Sequence, residues 1–72
     1  MKYYLVSGTT LYDGLEFQFK YSCERDKTLT NAEAEKDAIE GYVREDTGEE
    51  LGGIWIDEIS KAEYEILSKF HI

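Results

Sequence analysis

Leu15-Glu16-Phe17-Gln18-Phe19-Lys20-Tyr21-Ser22-Cys23-Glu24 decides the fold. Apolar and polar residues alternate through it without a break, the period of a half-buried β-strand, and its aromatic residues favour the same state. Leu15, Phe17, Phe19, Tyr21 and Cys23 fall on one face, and Glu16, Gln18, Lys20, Ser22 and Glu24 on the other. Just upstream, Asp13-Gly14 is a tight-turn signal, because glycine tolerates the positive φ that a two-residue hairpin loop requires. That turn sets Tyr12 opposite Leu15, and then Thr10, Gly8, Val6 and Tyr4 opposite Phe17, Phe19, Tyr21 and Cys23. A longer loop across Gly8–Gly14 is the competing arrangement.

Working outward, Lys2–Ser7 is also strand-like, with Tyr3, Tyr4, Leu5 and Val6 apolar at both parities. Such a strand either lies centrally with both faces covered or presents aromatic residues to solvent or a partner. The hairpin register leaves Tyr3 and Leu5 on the face away from Tyr4 and Val6. Beyond a charged connection at Glu24–Thr28, Thr30-Asn31-Ala32-Glu33 matches a capping box, in which the threonine hydroxyl and the glutamate satisfy each other's backbone amides. A helix over Asn31–Asp46 follows. Its apolar stripe is Ala32, Ala38, Ile39, Tyr42 and Val43, and Gly48 is placed as its stop. Gly41 reads as a weak last turn or a close approach to the sheet. Leu51-Gly52-Gly53 breaks the chain, and a third strand starts at Ile54-Trp55-Ile56 and runs to about Glu58. Ser60-Lys61-Ala62-Glu63 is a second capping box, with Ile59 and Tyr64 as a hydrophobic staple. Tyr64, Ile66, Leu67 and Phe70 make the closing helix amphipathic. The order β-β-α-β-α implies an α+β domain over residues 1–72, a small antiparallel sheet of a hairpin plus a third strand, covered by two helices.

At 72 residues the chain has room for one small domain. A domain near this size buries roughly 60% of the surface its unfolded chain exposes. The single cysteine, Cys23, excludes an internal disulfide, and the single histidine, His71, excludes a Cys/His zinc site of ordinary spacing. Ten aromatic residues must therefore carry the core, and Phe17, Phe19 and Tyr21 are expected in it rather than stacking nucleic-acid bases. Tyr3-Tyr4-Leu5-Val6 is too short for a membrane span or a signal-peptide core, which points to a cytoplasmic protein without membrane contact.

Catalytic kits are scarce. Nucleophilic catalysis needs a base beside the nucleophile, and the only imidazole is His71. Cys23 sits at an apolar strand position, where a thiol is usually a core filler. Asp57-Glu58 is the best-placed carboxylate pair, and reads as a solvated strand terminus. Asp46-Thr47-Gly48-Glu49-Glu50 lacks the alternating ligands of a calcium loop. Four carboxylates beside Gly48–Gly53 would repel a phosphate. The expectation is no enzyme, no cofactor and no metal.

Sixteen Asp and Glu oppose eight Lys and Arg, a net charge of −8, which disfavours direct binding to nucleic acid or anionic lipid. The charge is concentrated. Residues 33–50 hold eight acids (Glu33, Glu35, Asp37, Glu40, Glu45, Asp46, Glu49 and Glu50) against Lys36 and Arg44, a net −6. Glu33, Asp37 and Glu40 share a helix face, with neighbours about 5–6 Å apart, close to the spacing of phosphates along a strand. Acids in a first helical turn favour the helix dipole, whereas Glu45, Asp46, Glu49 and Glu50 at the predicted helix exit do not.

The leading expectation is a non-enzymatic binding protein that docks Glu33, Asp37, Glu40, Glu45, Asp46, Glu49 and Glu50 on a basic partner, with the nucleic-acid groove of an enzyme as candidate. The alternative is a structural homodimer or assembly subunit that uses Tyr3, Leu5 and Trp55 as its contact. In size and charge the chain is similar to small inhibitors of nucleic-acid-handling enzymes, including phage anti-restriction and anti-CRISPR proteins. That likeness covers no motif and transfers no residue.

Overall fold

In the computed structural model, which describes residues 1–72, Asp13 and Gly14 take φ of 51° and 77° and close a two-residue hairpin. It joins β1 (Lys2–Tyr12) to β2 (Leu15–Arg25) with Tyr12 opposite Leu15, Thr10 opposite Phe17, Gly8 opposite Phe19, Val6 opposite Tyr21 and Tyr4 opposite Cys23. This is the register the turn predicts. Then follow α1 (Asn31–Gly41), a 3-10 turn at Glu45–Thr47, β3 (Glu50–Ile59) and α2 (Lys61–Lys69). β3 pairs antiparallel with the other side of β1, giving the sheet order β2-β1-β3. The architecture is a small α+β fold.

Strand parity divides the sheet into two faces. One carries Tyr4, Val6, Gly8 and Thr10, flanked by Cys23, Tyr21, Phe19 and Phe17 on β2 and by Glu58, Ile56, Ile54 and Leu51 on β3. The other carries Tyr3, Leu5, Ser7 and Thr9, flanked by Glu24, Ser22, Lys20 and Gln18 and by Ile59, Asp57, Trp55 and Gly53. The helices take opposite faces. α1 seats Ala34 and Ala38, both fully buried, on the first face, where Tyr4, Val6, Cys23, Leu29 and Ala34 form the core against Tyr21, Ile54 and Ile56. α2 lies on the second: Tyr64 packs on Tyr3 with ring centroids 5.0 Å apart, and Leu67 and Ile66 line a shallow groove with Leu5 and Ile59. The apolar residues at both parities of β1 thus belong to a central strand covered on both sides.

Both helix starts follow their caps. Glu33 N donates to the Thr30 hydroxyl, and Ser60 and Glu63 make the full reciprocal box. At Thr30 the glutamate returns to the hydroxyl rather than to the backbone amide.

Three features depart from the sequence reading. α1 stops at Gly41 instead of running to Asp46. Gly41 weakens the helix, and packing takes the next two residues: Val43 is buried, and the Tyr42 ring stacks on Phe19 and Tyr21 at 4.9 and 5.3 Å. Tyr42 N and Val43 N both donate to Ala38 O, which closes the end. β3 begins at Glu50, and Gly52-Gly53 lie within it rather than before it. The register shifts between Thr9, opposite Gly53, and Thr10, opposite Leu51, so Gly52 is the extra residue of a bulge. Finally, Leu15 and Phe17 are not core: they are 59% and 52% exposed. An eleven-residue strand reaches about 36 Å and an eleven-residue helix about 16 Å, so α1 cannot cover the hairpin to its tip.

Candidate partner-binding surface

The acidic residues expected to act together fall into two groups. Glu45, Asp46, Glu49 and Glu50 occupy one tight turn. Arg44 O accepts from Thr47 N at 3.0 Å, from the Thr47 hydroxyl at 2.7 Å and from Glu49 N at 3.3 Å, and Gly48 turns back at φ 89°. Glu45, Asp46 and Glu50 are exposed and Glu49 is half-buried. Because α1 ends early, Glu45 and Asp46 lie in the first turn of the 3-10 helix and not at the carboxyl end of a long α-helix, which removes the expected electrostatic conflict. Glu50 opens β3 opposite Leu11, close to the hairpin tip.

The α1 acids are engaged differently. Glu33 is held at the Thr30 cap. Asp37 is half-buried and accepts a hydrogen bond from Arg25 Nη2 at 2.8 Å, the one ion pair in the molecule. Glu40 is exposed in the last turn of α1. Of the residues expected for self-contact, Tyr3 and Leu5 are half-buried under α2, whereas Trp55 is 58% exposed. Its indole lies back across Gly53, above a shallow depression shared with Ser7, Thr9, Glu16, Gln18 and Lys20.

Three groups on the first sheet face, Tyr21, Cys23 and Arg25, are moved from their ordinary titration values. Burial, with the Asp37 carboxylate next, pushes the Tyr21 hydroxyl up to about 12. Burial likewise raises the Cys23 thiol above its ordinary value, which disfavours the reactive thiolate. Burial disfavours the charged Arg25 guanidinium, but the hydrogen bond to Asp37, together with the charges of Cys23, Asp37 and Tyr21, outweighs this and holds it above the ordinary value.

The Tyr21 hydroxyl oxygen is buried with no hydrogen-bond partner. A tyrosine with a raised folded-state pKa stabilises the fold in its neutral form. That contribution is fully present below the unfolded value of about 10 and is lost as pH rises through about 12. Tyr21→Phe is therefore expected to match or exceed the parent at pH 7, by up to about 1 kcal/mol, because it removes an oxygen that lost water without gaining a partner. Urea melts should show the parent losing stability relative to the variant between about pH 10 and 12. Parallel pH profiles for the two would contradict this assignment.

The residues weighed for catalysis do not converge. Asp57 and Glu58 point to opposite faces, with Leu5 and with Tyr4 respectively, as neighbours on a strand must. His71 is exposed beyond the end of α2. No group of three or more His, Cys, Asp or Glu side chains is placed to hold a metal ion. No helix is long and apolar enough to cross a membrane.

Sequence reasoning missed the apolar tip of the hairpin, where Tyr12, Leu15 and Phe17 are exposed. The signal was available in the unequal reach of an eleven-residue strand and a helix of the same count. No family model, curated protein or solved structure matches the chain.

Proposed function

We propose that the chain is a non-catalytic binding protein that sets its Glu45–Glu50 turn, with Glu40 beside it in sequence, on a basic protein surface such as the nucleic-acid groove of an enzyme. The supporting observation is the unneutralised charge on a braced turn. Of sixteen acidic residues only Asp37 has an ion-pair partner, and four of the remainder sit on one turn pinned to Arg44 O. A braced backbone loses less conformational freedom on docking than a mobile loop, and clustered carboxylates steer a cationic partner before contact. Relative to the sequence reading, Glu33 and Asp37 are tied to Thr30 and Arg25, and the proposed contact centres on Glu40, Glu45, Asp46, Glu49 and Glu50.

A nucleic-acid-handling enzyme captured from the source cell provides the test. Its affinity for the chain should fall at least tenfold between about 50 and 200 mM salt, and a short DNA duplex should compete. The E45Q/D46N/E49Q/E50Q variant, which keeps the shape and removes four charges, should bind at least tenfold more weakly. Binding that ignores salt, duplex and variant alike would sink the reading.

A further inference from the structure

We propose that the open edge of β2 pairs antiparallel with the β2 edge of a second copy, centred on Gln18, to make a continuous six-stranded sheet. The two edges of the three-stranded sheet are built differently. β3 is bulged at Gly52 and carries Glu50, Asp57 and Glu58, devices that blunt an edge against pairing. β2 pairs with β1 over eleven residues with no bulge and no proline. Its charges, Glu16, Lys20, Glu24 and Arg25, cancel, so a molecule of net charge −8 has one neutral edge. The acidic turn leads into β3, on the far side of β1.

Hydrogen-bond direction follows from the turn. In a two-residue hairpin the closing pair, here Tyr12 and Leu15, carries the ladder bonds. From there alternate residues bond to β1, and Glu16, Gln18, Lys20 and Ser22 direct their N–H and C=O groups to the open side. A two-fold axis at Gln18 pairs these groups and sets Glu16 opposite Lys20 twice. On the other face Leu15 meets Tyr21 and Phe17 meets Phe19 of the second copy. This covers the side chains left 59% and 52% exposed at the tip. Other centres fit worse. An axis at Lys20 opposes Lys20 to itself and Glu16 to Glu24. One at Ser22 pairs Lys20 with Glu24, but leaves Leu15 and Phe17 uncovered and meets Ile72, whose carbonyl accepts from the Ser22 hydroxyl. Gly14, with no side chain and nothing within 4 Å of its Cβ position, falls opposite Ser22 in the Gln18-centred register.

Sedimentation equilibrium from about 5 to 500 µM tests the pairing at 150 mM salt. The parent should dimerise. K20E sets two like-charged pairs across the axis and should weaken the dimer roughly tenfold, as should E16K. The E16K/K20E swap rebuilds both pairs in reverse and should restore the parent constant to within about threefold. These side chains are exposed and make no ion pair, so the variants keep the fold. Q18C should form an intermolecular disulfide under mild oxidation, since Cα atoms of a hydrogen-bonded antiparallel pair lie about 5.5 Å apart, within disulfide range. E24C, which in this register lies beyond the hairpin tip of the second copy, should not. A parent that stays monomeric at about 500 µM, a dimer indifferent to K20E, or a swap that fails to restore it would overturn the proposal.

Discussion

Tyr4→Ala is expected to lower stability by about 4 kcal/mol, a large share of what holds a domain of this size folded. Three physical losses combine there. The ring is 3% exposed at the centre of the core, between Val6, Cys23, Leu29 and Ala34, so truncation opens a cavity lined by residues that the backbone holds apart. The Tyr4 hydroxyl accepts the Leu29 N–H at 3.3 Å in a buried bond, and that amide would be orphaned. The same bond fixes the loop that delivers Thr30 to its capping position, so the start of α1 loses its anchor as well. A domain of this length has roughly 4–10 kcal/mol to lose. Tyr4→Phe isolates the hydroxyl and should cost about 1–2 kcal/mol. Urea denaturation followed by circular dichroism reads both; a Tyr4→Ala midpoint near that of Tyr4→Phe would show that the ring is not the pillar described.

Gly8→Val should be nearly as damaging, at about 3 kcal/mol, with a fall in Tm of roughly 12–24 °C. Gly8 is buried in the central strand, and a Cβ there would collide with the tip of the Phe19 ring and lie 2.8 Å from Gly53 O. The ring cannot simply swing away, because Tyr42 is stacked on it at 4.9 Å. The carbonyl belongs to β3, so relief there must loosen the β1–β3 ladder. Combining Gly8→Val with Phe19→Leu should recover part of the loss, and the part it does not recover measures the backbone contact. Full recovery would place all the strain in the ring; an unchanged melting temperature for Gly8→Val alone would refute the close approach.

Local chemistry made much of the fold legible in the sequence. Asp13-Gly14 with the alternation of Leu15–Glu24 defined the hairpin and its register, because turn geometry and parity admit few alternatives. Thr30 and Ser60 marked the helix starts within a few bonds of their own side chains. What escaped depended on distant partners. The end of α1 was set by Phe19 and Tyr21 recruiting Tyr42, and the Gly52 bulge by the pairing of Thr9 with Gly53. Periodicity showed that each helix has an apolar stripe but not which side of the sheet it meets. The charge followed the same rule. That Glu45–Glu50 is acidic was plain, whereas the withdrawal of Asp37 into a bond with Arg25 needed two elements twelve positions apart to be brought together.

The sheet order also has a temporal side. β1 is the only strand that touches both others, yet its second partner lies some fifty positions later in the chain, with Tyr3 opposite Ile59. During synthesis at about 5–20 residues per second, the hairpin is complete several seconds before β3 emerges. For that interval the strand destined for the centre is itself an edge, with Tyr3 and Leu5 bare and its outer hydrogen bonds unclaimed. Ser7, Gly8 and Thr9, the least apolar stretch of the strand, then stand where an apolar run would be most exposed to wrong neighbours. The small residues that let β3 approach closely in the finished sheet also keep the unfinished one from finding a substitute.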